Sequence, residues 1–205
     1  ANPSAPLLGI SIVELGAGAG LPSWTALHCG AKIVCTDQAI ANRILCLAEC
    51  AERNLRLIRS KKINLATEDT ARFFNNAENA KVCPCNWGDN KHIEEVLDLI
   101  NSGNDRDQER RQFDIVVAAD CIYNPNFHEV LLESIDKLLS EPGIALLPFA
   151  LHGNTKDENV WNIVTLAKER GFDVDVVEKN QLIPQSAYMD AKRGLVYMLR
   201  LRRGC

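Results

Sequence analysis

Apolar runs rich in valine and isoleucine alternate along the chain with segments whose apolar residues recur every three or four positions. The first kind of segment predicts buried β-strands, and the second predicts amphipathic helices. The predicted strands are Ile10–Leu15, Ala31–Thr36, Lys81–Asn86, Phe113–Ala119, Ile144–Leu151, Phe172–Val177 and Leu195–Leu201. The predicted helices are Pro22–Cys29, Ile40–Arg59, His92–Ile100, Phe127–Leu139 and Asp157–Glu169.

The order of these segments indicates the fold class. Strand and helix alternate five times, and two strands then follow without a helix between them. Strands that are apolar throughout and are separated by helices form parallel sheets covered on both faces. We therefore predict an α/β fold with a Rossmann-like, doubly wound, seven-stranded sheet. The sheet should be mostly parallel, with an antiparallel final strand at its edge.

The composition is that of an ordinary globular domain, with 46% hydrophobic and 24% charged residues among 205. We expect residues 1–205 to form a single domain. The formal net charge of −4 argues against nucleic acid as the main partner, and the apolar runs are too short to span a membrane. Most of the eight cysteines lie within apolar patterns, which favours free thiols over disulfides or a metal site. These features predict a cytoplasmic protein, with the nucleus as a second compartment.

A glycine cluster follows the first predicted strand and opens a helix. Gly16, Gly18 and Gly20 would let the backbone approach a ligand and present helix N-terminal amides to it. The dinucleotide fingerprint requires its third glycine at position 21, which is leucine, and no Gly-Lys-Ser/Thr of a P-loop follows. A tight turn without a ligand is the alternative. Asp37 ends the second strand, where a carboxylate can accept both hydroxyls of a ribose, although it could equally cap the next helix.

Polar and aromatic residues follow two further strands. Asp120 comes directly after the strongest apolar run, and Tyr123 is three residues later, so one turn can bring both side chains over a single site. The alternative is an aspartate helix cap with a packing tyrosine. Trp87 follows the third strand, where its ring could cover an adenine face, although a lone tryptophan is more often part of the core.

Together these motifs resemble the seven-β-strand, S-adenosylmethionine-dependent methyltransferases. Within them they match lysine methyltransferase family 16, and most closely its nicotinamide N-methyltransferase-like branch, which includes fungal enzymes that methylate elongation factor 1A. The resemblance covers about residues 8–202 and rests on Glu14–Ser23 (ELGAGAGLPS), Asp37, Asn86–Gly88 (NWG) and Ala119–Tyr123 (ADCIY).

The resemblance implies a role for each matching position. Gly16, Ala17 and Gly18 would wrap the methionine part of the cofactor, and Glu14 would anchor the loop near its amino group. Asp37 would bind the ribose hydroxyls, Trp87 would pack on adenine, and Ala119 would touch the cofactor through its backbone. Asp120 and Tyr123 would face the methyl acceptor, as catalytic residues. Family members carry a tryptophan-containing segment ahead of the glycine loop, whereas only nine residues precede the first predicted strand here, so we expect an N-terminal extension to be missing.

The resulting hypothesis is a methyltransferase that converts S-adenosylmethionine to S-adenosylhomocysteine and methylates a lysine or N-terminal amine of a protein such as a translation factor. The alternatives are a small-molecule, nicotinamide-like N-methyltransferase and a catalytically silent interaction module. Acceptor choice should lie in the loops Tyr123–Phe127, Leu151–Asp157 and Asn180–Arg193. His152 is a weaker candidate at the same edge, where a solvated loop histidine is the alternative.

Overall fold

The computed structural model describes residues 5–60, 79–101, 111–151, 155–181 and 194–204. The strands in these ranges are β1 (Ser11–Glu14), β2 (Lys32–Asp37), β3 (Ala80–Pro84), β4 (Phe113–Val117), β5 (Leu139–Ala150), β6 (Phe172–Gln181) and β7 (Leu195–Arg203). The helices are α1 (Leu21–His28), α2 (Ala41–Ser60), α3 (Asn90–Asn101), α4 (His128–Leu138) and α5 (Asp157–Glu169), with a 3₁₀ turn at Pro125–Phe127 before α4. Every predicted strand and helix is present; α5 has the predicted bounds, and the ends of the others are shifted.

The strands form one seven-stranded sheet in the order β3-β2-β1-β4-β5-β7-β6. The pairs from β3 to β5 are parallel, whereas β7 is antiparallel to both β5 and β6. The predicted α/β class and antiparallel final strand are confirmed. The predicted edge position of that strand is wrong, because β7 is inserted between β5 and β6, and β6 forms the edge.

The alternating pattern of β7 explains this error. Tyr197, Leu199 and Leu201 are buried, while the residues between them are more exposed. Such alternation shows that one face of a strand is covered, and a central strand with one open face has the same pattern as an edge strand. In the sheet, Leu199 pairs with Leu147 of β5 on one side and with Val176 of β6 on the other.

Helices cover both faces of the parallel half of the sheet. On one face, α1 and α2 contribute Trp24, Leu27 and Leu47 to a core that also contains Ile12 and Ile33 of the strands. On the other face, the core residues come from α3, α4 and α5 and from the opposite sides of the same strands, including Val13, Val34, Ile93, Leu131, Ile135 and Ile163. Burial on both faces is the reason why these strands are apolar throughout.

Strand β5 begins five residues earlier than predicted. Leu139 pairs with Phe113 and Ile144 pairs with Ile115, so the segment between them bulges out of the ladder. A proline and a glycine inside this bulge made the sequence appear to break there. Among the helices that the structure describes, none combines the length and apolar character needed to cross a bilayer.

The sheet changes its winding direction between β1 and β4. These strands are neighbours, with Glu14 paired to Val117. From β1 the chain continues to β2 on one side, whereas from β4 it continues to β5 on the other side. In doubly wound folds, ligands bind beyond the carboxyl ends of the strands at such a switch point. The segments after Glu14 and Val117 are therefore the place to look for a site.

Candidate functional site

The glycine loop leaves β1 in a backbone conformation that residues with a side chain rarely adopt. Gly16, Gly18 and Gly20 all have positive φ angles, of 65°, 57° and 72°. A Cβ atom on Gly16 would lie 2.8 Å from Cys121 Sγ and 2.9 Å from Trp87 Cζ2, well inside van der Waals contact. Gly16 therefore lets the loop lie directly against the segments that follow β3 and β4.

A buried carboxylate connects this loop to α1. Oε2 of Glu14 accepts hydrogen bonds from the Ser23 backbone amide at 2.9 Å and from Ser23 Oγ at 2.5 Å. Burial raises the pKa of Glu14, and the two Ser23 hydrogen bonds oppose this rise. Because Ser23 lies in the first turn of α1, the carboxylate also interacts favourably with the positive end of the helix dipole.

The carboxylate of Asp37 is held at the end of β2 by three donors. Oδ2 accepts a 2.8 Å hydrogen bond from the Gly18 amide. Oδ1 accepts a 2.7 Å hydrogen bond from the Gln38 amide and a 3.1 Å contact from Arg43 Nη1. Asp37 is almost fully buried. Within the described residues, Oδ2 accepts this one hydrogen bond, and a carboxylate oxygen can accept about two, so it retains an acceptor position.

Two aromatic rings form one side of the site. Trp87 lies half-buried after β3, and its ring contacts that of Phe127 edge to face, with centroids 6.3 Å apart and an interplanar angle of 78°. Phe127 is the last residue of the 3₁₀ turn, and Asn124 directly precedes the turn. The Asn124 side chain caps the turn by accepting a hydrogen bond from the Asn126 amide. The capped turn thus fixes the ring that supports Trp87.

Asp120 has an unusual backbone conformation. Its φ of 55° is the one positive value at a non-glycine position in the described residues, and aspartate tolerates this region better than most residues do. Its amide donates a 2.7 Å hydrogen bond to Pro148 of β5. The loop continues through Ile122, whose carbonyl accepts a 2.8 Å hydrogen bond from Nε2 of buried His128, to Tyr123, whose carbonyl accepts one from Thr155 Oγ1.

A cleft of about 480 Å³ opens between these segments, a size typical of small-molecule sites. Five predicted site residues line it: Gly16, Asp37, Trp87, Asp120 and Tyr123. The cleft therefore joins the ends of all four strands from β1 to β4.

The remaining predicted residues lie behind the lining. Gly18 contacts Asp37 through its amide, and the Ala17 amide donates to the Thr36 carbonyl at 2.9 Å. Glu14 faces α1, as described above, and the Ala119 carbonyl accepts a contact from Cys121 Sγ at 3.3 Å. These four residues shape the loops rather than line the cleft, and their proposed contacts with a cofactor stay predictions.

The cleft also contains residues that sequence reasoning missed. Arg43, Gln38, Cys121 and Val130 line it without a predicted role. Asn126 and Phe127 line it from the predicted acceptor loop Tyr123–Phe127, and Asn86 lines it from the predicted Asn86–Gly88 motif. The sequence did contain one indication for Arg43. A cation in the first turn of a helix is electrostatically unfavourable, which suggests that a nearby anion stabilises it. Cys121 lies inside the Asp120–Tyr123 motif but looks like an ordinary apolar position in the sequence.

Several predictions fall on residues outside the described ranges. They are residues 152–154 of the Leu151–Asp157 loop, which include His152, and residues 182–193 of the Asn180–Arg193 loop. All seven described cysteines are free thiols. In the described ranges, histidine, cysteine and acidic side chains do not form a group of three that could hold a metal ion.

Comparison with known proteins identifies the family. The sequence model of a family described as lysine methyltransferase matches residues 3–161. The chain belongs to this lysine methyltransferase family.

Two relatives are described as protein N-terminal and lysine N-methyltransferase EFM7. The one from Gibberella zeae is 27% identical over 177 residues, covering 85% of this chain and 61% of the relative. The one from Candida glabrata is 28% identical over 169 residues, covering 82% of this chain and 56% of the relative. The chain thus spans less than two thirds of the length of either relative.

Solved structures of other methyltransferases share the fold of this family member. Precorrin-6y C5,15-methyltransferase from Geobacter metallireducens has a TM-score of 0.57 at 12% identity, over 95% of this chain and 80% of that structure. Magnesium protoporphyrin IX methyltransferase from Synechocystis, solved with bound S-adenosylmethionine, has a TM-score of 0.55 at 13% identity, over 97% and 72%. At such low identity these likenesses show the methyltransferase fold alone.

Proposed function

We propose that the chain is an S-adenosylmethionine-dependent N-methyltransferase whose acceptor is a lysine or N-terminal amine of a protein. The observation that carries the proposal is the single cleft that joins Asp37 and Trp87 to Asp120 and Tyr123. One pair suits a nucleoside, and the other suits an amine. Family membership and the names of the two relatives support the same reaction.

The residues at the β1–β3 side of the cleft fit an adenosyl cofactor. The free acceptor position on Asp37 Oδ2 suits a ribose hydroxyl, and the half-buried ring of Trp87 suits an adenine face. The methionine part would be held by Gly16, Ala17 and Gly18, with Glu14 and the Ala119 backbone nearby. When bound, the cofactor supplies an electrophilic methyl group on sulfur.

The residues at the β4 side would orient the acceptor. A lysine amine has an ordinary pKa near 10.4 and must lose a proton before it can attack a methyl group. A carboxylate is too weak a base to hold that proton at neutral pH, so the proton passes to solvent water before the amine attacks. Asp120 therefore orients the amine and stabilises the positive charge that develops on nitrogen, with the Tyr123 hydroxyl as a second polar contact.

The mouth of the cleft favours a protein acceptor. Tyr123 and Phe127 are 54% and 44% exposed, and Asp120 is exposed as well. A small-molecule enzyme needs its acceptor enclosed, whereas a side chain projecting from a protein surface can reach exposed groups. We further propose that the protein acts in the cytoplasm, in keeping with its free thiols, and that nucleic acid is not its main partner, in keeping with the net charge of −4.

Two experiments test this function. Calorimetry should show binding of S-adenosylhomocysteine and none of NAD. Methyl-labelled S-adenosylmethionine, incubated with the protein and a cell extract, should transfer label to material of protein size. Label found only in small molecules would contradict the protein acceptor, and binding of the cofactor without transfer to any fraction would favour a silent module.

A further inference from the structure

Arg43 occupies a position that helix stability does not explain. It lies in the first turn of α2, where the helix dipole disfavours a cation, and that turn contains no acidic residue. Its Nη1 atom lies 3.1 Å from Oδ1 of Asp37, and the side chains of the two residues are 53% and 4% exposed. Burial of one partner makes this pair different from the solvated ion pairs farther along the same helix.

The two oxygens of the Asp37 carboxylate accept different hydrogen bonds. Oδ1 is occupied by Arg43 and by the Gln38 amide, while Oδ2 receives the Gly18 amide. Rotation of the carboxylate would break these contacts together, so its orientation is fixed. The acceptor position that remains on Oδ2 is therefore fixed too, and Arg43 and Asp37 line the same cleft.

We propose that Arg43 is a positioning residue for ribose recognition; this inference rests on the proposed function. A ligand that fills the cleft removes water from Asp37, and a carboxylate without a cationic partner resists such desolvation. Arg43 supplies that partner, so the carboxylate keeps its orientation when the ligand covers it. Because Arg43 acts through Asp37, its effect on binding depends on the ligand hydroxyl that donates a hydrogen bond to Asp37.

The test is calorimetric binding of S-adenosylhomocysteine and of its 2′,3′-dideoxyribose analogue to the full chain. Arg43→Met should weaken binding of S-adenosylhomocysteine about tenfold, the usual size for a hydrogen bond to a charged group, and should change binding of the analogue less than about twofold. Arg43→Lys, which keeps a cation within reach, should recover most of the affinity. Arg53→Met is the matched control, because Arg53 lies on the same helix, is 77% exposed and pairs with exposed Glu49.

A double-mutant cycle with Asp37→Asn separates this role from a direct contact with the ligand. In the Asp37→Asn background, Arg43→Met should add almost no further loss. An equal loss for both ligands, an additive double mutant or unchanged binding in Arg43→Met would each overturn the inference. If the wild type binds no S-adenosylhomocysteine, the result contradicts the proposed function and, with it, this inference. Should Arg43→Met fail to fold, Arg43→Gln carries the same comparison.

Discussion

The backbone amide of Gly18 donates a 2.8 Å hydrogen bond to Oδ2 of Asp37. This contact joins the loop after β1 to the end of β2, and the bond from the Ala17 amide to the Thr36 carbonyl reinforces it. The shape of the glycine loop and the position of the carboxylate are therefore coupled. A change in either one is expected to alter the other.

The first prediction concerns the fit of Gly16. Gly16→Ala should lower the free energy of unfolding by about 2–4 kcal/mol, because a Cβ there meets Cys121 and Trp87 within 3 Å in addition to the backbone penalty of a positive φ. Denaturant unfolding of the ligand-free protein measures this change.

Gly18→Ala is the control for the backbone part of that change. Its φ of 57° is close to that of Gly16, but a Cβ on Gly18 would have no described heavy atom within 4 Å. It should therefore cost only about 1 kcal/mol. Equal losses in the two variants would show that the contacts of Gly16 with Cys121 and Trp87 are unimportant.

Local motifs made the main anchors of the site predictable. Gly16 and Asp120 lie two and three residues after β1 and β4, and Asp37 ends β2. Parallel strands place their carboxyl ends at one edge of the sheet. Arg43, Phe127 and Cys121 could not be found in this way. Their presence in the cleft depends on how the helix, the 3₁₀ turn and the loop pack against other segments, which hydrophobic periodicity does not report.

Strand order was only partly predictable for a related reason. The absence of a helical pattern between the last two predicted strands indicated an antiparallel strand, because parallel neighbours need a long crossover connection, usually a helix. The pattern did not show whether β7 pairs on one side or on both. That choice depends on Leu147 and Val176, which flank Leu199 from strands far apart in the sequence.

The second prediction concerns the thiol of Cys121. Burial, together with the nearby charges of Glu14, Asp120 and Asp37, raises its pKa to about 12. Since the thiolate is the reactive form, Cys121 should resist alkylation at neutral pH although it lines the cleft. Iodoacetamide labelling followed by mass spectrometry should find Cys46, which is exposed, modified well before Cys121. Rapid labelling of Cys121 in the folded protein would contradict this prediction. Labelling of Cys121 after denaturation would not, because unfolding exposes the thiol.

The third prediction separates catalysis from binding at Asp120. Asp120→Asn removes the charge but keeps a residue that tolerates a φ of 55°, so the loop should keep its conformation. If the carboxylate orients the amine, methyl transfer should fall about a hundredfold or more while the affinity for S-adenosylhomocysteine is kept. The readouts are transfer rate and calorimetry on the same preparation. Asp98→Asn, on an exposed position of α3, is the matched control and should leave both unchanged. Loss of cofactor affinity in Asp120→Asn would remove Asp120 from the acceptor side.

The fourth prediction concerns pH and the loop between Asp120 and α4. The Ile122 carbonyl can only accept, so the 2.8 Å contact requires a proton on Nε2 of His128. Nδ1 is buried and has no hydrogen-bond partner in the described residues, so its protonation would bury a charge without a partner. Burial accordingly lowers the pKa of His128, although the Ile122 contact and Glu129 oppose the shift.

A histidine with a lowered pKa in the folded state takes up protons more readily when unfolded. Its contribution to stability is therefore complete above the unfolded pKa of about 6.5 and is lost as the pH falls from there through the lower pKa of the folded state. His128→Gln keeps a donor for the Ile122 carbonyl and cannot titrate, so the loss of unfolding free energy between pH 7 and pH 5 should be smaller than in the wild type. His128→Leu should be destabilised at every pH in this range, because the Ile122 carbonyl loses its donor. Denaturant titrations at several pH values measure both effects, and equal slopes for the wild type and His128→Gln would rule out His128 as the titrating group.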